Sequence, residues 1–419
     1  MIRGSRIRIA GLWLHRNFLR LWAAQTISVF GSAITTLALP LTAIAVLHAT
    51  PGQMGLLFAA GQVPPLLVSL LAGAWVDRLR RRPILILADL GRMLLLGSIP
   101  LTMALGFLSL NYLFLINLLV GILSVFFNVA YTSFLPTIIQ RQDLVEGNAK
   151  LQLTNSLSRI IGPGIAGLLI QLLTAPRAIL GDSLSFALSA LILGSIRAPE
   201  TVPAPYHDDQ RRSIWAEIGT GLAAVTHNPL LRALAGSHAT ANFFWGIQLP
   251  LLILYMMHDV GMSATLIGII FASSNIGVLV GVLLTKRVVK RFGLGLTMIG
   301  TASLSIIGAL LVPVADRSMG IAPVLLAAAQ LFTVTPLIIY EINEVSLRQS
   351  ITPAHLLGRL NATMQFLSWA TTPLGALLGG WLAQVIGVRP TLLVAAIGLL
   401  FAIPWLLISP LPSLKQLPP

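Results

Sequence analysis

The sequence predicts an all-α integral membrane protein whose twelve transmembrane helices form two pseudo-symmetric six-helix bundles. Three observations predict it. Of the 419 residues, 56% are hydrophobic and only 10% charged, with a mean hydropathy of +0.88; that is more apolar side chain than a water-soluble chain of this length encloses. Apolar runs of about 20 residues, each enough for one bilayer crossing, recur along the whole chain. The chain also repeats itself at an offset of roughly half its length, as parallel repeats about an axis along the membrane normal do. Leu144-Val145-Glu146-Gly147-Asn148-Ala149 leads to Gly162-Pro163-Gly164-Ile165-Ala166-Gly167, and Leu356-Leu357-Gly358-Arg359-Leu360-Asn361 leads to Pro373-Leu374-Gly375 and Gly379-Gly380.

In order, the first half is expected to cross the membrane near Phe18 to Leu47, Gln53 to Val76, Pro83 to Leu105, Tyr112 to Ile139, Leu144 to Leu173 and Ala178 to Ile196. The second half follows near Leu231 to Met257, Ala264 to Thr285, Leu294 to Val314, Ile321 to Leu347, His355 to Ile386 and Thr391 to Ile408. Between them, Pro199, Pro203, Pro205 and the charged run Asp208, Asp209, Arg211, Arg212 read as a polar linker. Ser213 to Thr226 reads as an interfacial helix. The expected domains are therefore an N-terminal bundle at 1–196, a cytoplasmic linker with its interfacial helix at 197–228, and a C-terminal bundle at 229–419.

The basic residues set the orientation. With both termini cytoplasmic, the inner side receives Arg3, Arg6, Arg8, Arg16 and Arg20, then Arg78 to Arg82, Arg141, Lys150, Arg197, Arg211, Arg212, Arg232, Lys286 to Arg291, Arg348, Arg359 and Lys415. Only Arg177, Arg317 and Arg389 fall outside, the asymmetry of the positive-inside rule. The first apolar run follows a basic N-terminus as a signal peptide's does, but it exceeds the ~7–15 residues of a signal core and lacks a small-residue cleavage site. It is expected to stay as a span.

Several classes of function are disfavoured. A pI near 11.4 fits nucleic acid poorly, because the basic residues lie in short clusters between apolar runs. The chain has no cysteine, so thiolate chemistry is excluded. No His, Asp and Glu spacing suggests a metal site, no Walker lysine follows a glycine-rich loop, and no serine stands in a hydrolase context. Neither an enzyme nor a cofactor is expected.

Charges inside spans are costly and mark function by default. They are Asp89 with Arg92, Arg159, Asp182, Glu341 and Glu344. Asp89 and Arg92, three apart, can pair on one helix face, and Asp182, near Arg177, reads alternatively as an interfacial cap. Glu341 and Glu344 share one helix turn, where like charges favour proton uptake, although Arg348 stands four residues after Glu344 and explains it as an ion pair. Glu341, Glu344, Asp89 and Asp182 are the proton-coupling candidates. Polar residues also form helical stripes at steps of three, four or seven. Gln25, Ser28 and Ser32 lie in span one, Asn128 and Tyr131 in span four, Asn242, Trp245 and Gln248 in span seven, and Thr333 in span ten. Such stripes face protein or a wet cavity. Gly162, Pro163 and Gly167 in span five read as close helix packing.

With twelve spans and a polar central linker, Gly73, Asp77, Arg78, Arg81 and Arg82 after span two resemble the major facilitator superfamily over almost the whole chain. The LVEGNA segment, the GPGIAG run and the LLGRLNATMQ to PLGALLGG segment look like its drug:proton antiporter branch, which includes macrolide efflux proteins and the enterobactin exporter. The chain departs from the pattern at Arg80, where the loop motif has glycine; at Ala149 and Ser158, near the upstream glycines of the span-five motif; and in span four, which has no basic residue. The resemblance implies a central cavity lined by spans one, four, seven and ten, at which the polar stripes are the substrate candidates. It also implies a cytoplasmic gate at Gly73, Asp77, Arg78, Arg81 and Arg82, with Arg359 near the start of span eleven.

The reading is a secondary active exporter of an amphipathic small molecule of drug, macrolide or siderophore type. It works by alternating access against protons, as a monomer in the inner (cytoplasmic) membrane with both termini inside, and its partners are its substrate, protons and the lipid bilayer, not nucleic acid. The alternatives are a metabolite uptake carrier or facilitator, and a non-transporting scaffold or receptor on a transporter fold.

Overall fold

The computed structural model describes residues 12–76, 79–197, 214–353 and 356–417. Helix is the only regular secondary structure among them. The first half of the chain gives α1 (Arg16–Ala45), α2 (Pro51–Val76), α3 (Arg81–Ala104), α4 (Leu110–Ile138), α5 (Leu144–Leu173) and α6 (Ala175–Gly194). After the linker, most of which lies outside the described residues, come α7 (Ile214–His227), α8 (Pro229–Leu254), α9 (Ala264–Phe292), α10 (Leu294–Leu311), α11 (Ala322–Ser350), α12 (Leu357–Ile386), α13 (Val388–Gly398) and α14 (Ile403–Leu407).

Among the described residues ten helical stretches are long and apolar enough to cross a membrane. They are α1, α3 to α6, α8 continued to Asp259, α9, α10 continued to Val314, α11, and the stretch 388–407. Two further helices, α2 at 26 residues and α12 at 30, have the length for a crossing. Pro64, Pro65 and Pro373 lie inside them, and membrane helices tolerate such breakers when neighbours satisfy the freed backbone.

Local chemistry fixes where the helices start and stop. The hydroxyls of Ser109 and Ser263 accept from the backbone N–H of Tyr112 (3.3 Å) and Leu266 (3.4 Å), capping α4 and α9. Asn228 Oδ1 accepts from Leu230 and Leu231, and Pro229 opens α8. Gly293 (φ 82°) and Gly387 (φ 92°) turn the chain between α9 and α10 and between α12 and α13 in the left-handed region open to glycine.

Two boundaries differ from the sequence expectation. α9 continues past Thr285 to Phe292, because Lys286, Arg287, Lys290 and Arg291 end the apolar run without breaking the helix; long basic stems stay helical while their charges reach water. The last crossing is not one helix: α13 passes through a 3-10 turn at Leu399–Ala402 into α14. Pro404 stands in the first turn of α14, and its missing N–H interrupts the ladder at that point.

The chain packs as two compact units: Met1–Leu39 with Leu67–Tyr206, and Pro40–Leu66 with His207–Pro419. In the first, α3 lies against α4 and α6, and α5 against α6. α1 packs on α5, where the Ser158 hydroxyl donates to the Val29 carbonyl (3.1 Å) and a Cβ at Gly162 would sit 2.6 Å from Ala33 Cβ. The core of this unit includes Phe18, Leu21, Leu85, Phe127, Phe134 and Leu193. In the second, α8 packs on α12, α11 lies between α9 and α10, and α7 lies along α12. Backbones approach closely there: a Cβ at Gly246 would stand 2.2 Å from the Thr372 carbonyl oxygen, and one at Gly375 1.9 Å from that of Phe243. Small residues at helix crossings permit this contact where lipid supplies no hydrophobic drive.

Candidate functional site

A buried charged cluster in the first unit is built from four helices, α1, α3, α4 and α6. Asp89 and Arg92 lie one turn apart on α3, 0% and 5% exposed, and the Arg92 guanidinium donates to Asp89 Oδ1. The i, i+3 spacing read from the sequence makes this pair. Two aromatic rings sandwich the cation, Phe127 of α4 at 4.3 Å and Phe186 of α6 at 4.1 Å from ring centroid to Cζ. Such contacts are worth about 2 kcal/mol when desolvated.

Asp182 enters from α6 at 1% exposure. It is not the interfacial cap that its nearness to Arg177 offered as an alternative, but a core residue that accepts from the Thr35 hydroxyl of α1 (2.5 Å) and the Ser185 hydroxyl (3.1 Å). The charged groups that act on Asp182 are Arg92 and Asp89. The Ser189 hydroxyl acts on Asp89 from α6, yet neither it nor Asp89 Oδ2 completes a hydrogen bond among the described residues. A Cβ at Gly31 would lie 2.1 Å from Ser185 Oγ and 2.7 Å from Asp182 Oδ1, so α1 meets α6 at the carboxylate itself.

The cluster therefore holds two carboxylates and one guanidinium. Its partners Thr35, Ser185, Ser189, Phe127 and Phe186 were not singled out with it in the sequence. The available signal is on α6, where Asp182, Ser185 and Ser189 step by three and four along one face.

The other in-span carboxylates lie in the second unit. Glu344 of α11 is 1% exposed and accepts from Arg348 at 2.9 Å, the ion pair weighed from sequence. Glu341 is exposed. Among the stripe residues of the first unit, Ser28 is buried, Gln25, Ser32 and Tyr131 half-buried and Asn128 exposed. In the second unit Gln248 and Thr333 are buried, while Asn242 and Trp245 are half-buried. Thr333 donates back to the Ala329 carbonyl (2.8 Å). Gln25 Oε1, the Tyr131 hydroxyl and Gln248 Oε1 are buried without a hydrogen bond among the described residues.

Of the gate residues, Asp77 and Arg78 lie outside the described residues. Gly73 stands in α2, where an added Cβ would meet nothing within 4 Å. Arg82 donates through Nε to the Leu193 carbonyl (3.1 Å) and through a terminal nitrogen to that of Gly194. Arg81 and Arg359 are half-buried. Pro163 lies inside α5 between Gly162 and the buried Gly167. Among the described residues no cluster of His, Asp and Glu has the makings of a metal site.

Taken with a family match over residues 12–418 and with relatives similar along nearly their whole length, this all-helical array of membrane crossings is that of a multi-pass membrane transporter of the major facilitator superfamily, not an enzyme. Solved structures share the fold: the nucleoside transporter NupG, at a TM-score of 0.75 over 94% of this chain and 98% of that one with 13% identity, and a bacterial homologue of the iron transporter ferroportin in an inward-facing state, at 0.75 over 94% and 98% with 15% identity. Residues 12–418 match the model of the transmembrane secretion effector family, and the chain belongs to that family. Among curated relatives, the multidrug efflux pump Tap of Mycolicibacterium fortuitum is 29% identical over 393 residues, covering 91% of this chain and 92% of that protein. Tap of Mycobacterium tuberculosis H37Rv is 26% identical over 406 residues, covering 94% and 93%.

Proposed function

We propose that this protein is a secondary active exporter that moves an amphipathic, drug-like molecule out of a bacterial cell in exchange for protons, by alternating access. Relatives described as multidrug efflux pumps, similar along nearly their whole length, support the export of drugs. The observation that carries proton exchange is the cluster of Asp89, Arg92 and Asp182. Two carboxylates against one guanidinium leave one negative charge in excess, and an uncompensated charge inside a membrane bundle is expensive. One bound proton makes the cluster neutral, and releasing it makes the cluster an anion that a conformational change can sense. Glu344 is less suited, since it is paired with Arg348 (2.9 Å) and the second carboxylate beside it, Glu341, is exposed rather than buried.

In this reading Gln25 and Tyr131 from the first unit, and Gln248 from the second, offer polar groups to cargo. Ser28, Ser32, Asn128, Asn242, Trp245 and Thr333 shape the surfaces beside them. The division into bundles at 1–196 and 229–419 with a linker at 197–228, a monomer in the inner membrane with both termini cytoplasmic, and a gate at Gly73, Asp77, Arg78, Arg81, Arg82 and Arg359 belong to the same proposal.

Reconstituted into liposomes with an imposed proton gradient, the protein is expected to drive ethidium against its concentration gradient, and a protonophore should stop it. Ethidium movement that ignores both gradient and protonophore would overturn proton exchange.

A further inference from the structure

Where α1 begins and α6 ends, the first unit carries a cavity that shares only Arg82 with the residues proposed for transport. An open cavity of about 840 Å³ is walled by His15, Arg16, Asn17, Arg20, Arg82 and Arg197, together with the end of α6. That volume is within the ~300–1,000 Å³ of ligand-holding clefts. Four arginines line it and, among the described residues, no carboxylate does. Two of the four are anchored, Arg20 by donating to the Ser195 carbonyl (2.6 Å) and Arg82 to those of Leu193 and Gly194, and Asn17 Nδ2 donates to the Arg197 carbonyl (3.1 Å).

Capping the end of α6 does not account for the set. A helix C-terminus offers roughly half a negative charge, and the guanidiniums of Arg16, Arg20 and Arg197 alone exceed it severalfold. The carboxylate on the neighbouring helix α5, Glu146, is taken by Lys150 (3.1 Å) and by the Leu12 N–H (3.3 Å). Among the described residues the cavity therefore has a surplus of positive charge and of N–H donors, which is what a phosphate group requires.

The surroundings point to a lipid as its source. Trp13 packs edge-on against Trp22 at 5.0 Å, and Lys150 Nζ lies 3.8 Å from the Trp13 ring centre; aromatic residues of this kind mark the headgroup level of a membrane. Leu184, Leu188 and Leu191, all exposed, run up α6 at steps of four and three toward the end that closes the cavity. An amphipathic ligand with a phosphate head and apolar tails matches both features.

We propose that this cavity binds a phosphate-bearing anion, supplied by the headgroup of an anionic phospholipid. The test is thermal melting of the purified full-length protein in detergent, titrated with phosphatidylglycerol, phosphatidylethanolamine or inorganic phosphate. Phosphatidylglycerol is expected to raise the melting temperature, and phosphatidylethanolamine to do so much less. At about 1 kcal/mol per basic side chain near a lipid surface, the double substitution Arg16→Gln with Arg197→Gln should weaken half-saturation by roughly thirtyfold. Lys286→Gln with Arg287→Gln, on exposed residues of α9, should change nothing. If the glutamine variant melts early without lipid, Arg16→Lys with Arg197→Lys keeps the charge and should keep most of the binding. An equal shift from inorganic phosphate, lost in the variant, retains the site and makes its source free phosphate. Undiminished phosphatidylglycerol binding by a folded glutamine variant, or equal response to both lipids, overturns the proposal.

Discussion

Asp89, Arg92 and Asp182 divide three tasks in one buried cluster. In the proposed exchange Arg92 neutralises, Asp89 holds Arg92 in place, and Asp182, which accepts from the hydroxyls of Thr35 (2.5 Å) and Ser185 (3.1 Å) beside that pair, is the group that exchanges a proton. Removing the cation alone strands two carboxylates, so Arg92→Met should destabilise the protein by about 3–5 kcal/mol. Asp89→Leu with Arg92→Met, which removes the pair together, should cost much less in the same melting experiment. Equal losses for the two variants would mean that the pair is not the cluster's electrostatic anchor. Outside the spans, Asp316 shows the opposite balance. The Ser318 backbone N–H (2.9 Å) and then its hydroxyl (2.8 Å) hold the Asp316 carboxyl below its ordinary 3.8, and Arg389 at 3.2 Å adds to this. A depressed carboxyl stabilises fully above its unfolded value and loses that contribution as pH falls through the folded one. Limited proteolysis near 315–321 should therefore rise below pH 3.8 in the wild type, and Asp316→Asn should be cut at a rate that does not depend on pH in that window.

At the scale of elements, backbone contact decides which changes are tolerated. On α12, Gly375 faces the Phe243 carbonyl so closely that an added Cβ would lie 1.9 Å from it, and rigid backbone cannot yield as a side chain does. Gly375→Ala is expected to cost at least the ~1–3 kcal/mol of overpacking and to lower the melting temperature. Gly73→Ala, with open space around it, should leave the melting temperature unchanged and so isolates any effect on the proposed gate. The spans themselves were legible from sequence because an apolar run of bilayer length admits few other structures, and a helix stands at Ile214–His227, α7, where one was expected at Ser213 to Thr226. The end of α9 and the break before α14 were not. Hydropathy marks where the bilayer ends, not where the helix does, and the break depends on how one proline is accommodated.

For the whole molecule, family and fold could be read from the repeat, the charge asymmetry and the loop after α2, features that belong to the chain as a string. The cluster could be read only in part. Asp89 and Arg92 pair within one helix, so their spacing reveals them, whereas the meeting of Asp182 with Thr35, and of Arg92 with Phe127 and Phe186, depends on how α1, α3, α4 and α6 are rotated against one another. No single-helix periodicity carries that information. The central claim is that this cluster gives up a proton when cargo binds, and linkage makes the two events reciprocal. The most direct measurement is proton release from the purified protein in weakly buffered detergent solution on addition of ethidium, with ethidium binding followed in parallel by fluorescence. Release of about one proton per bound ethidium by the wild type, and none by Asp182→Asn with binding retained, is the predicted result. Equal proton release by the wild type and Asp182→Asn would contradict it.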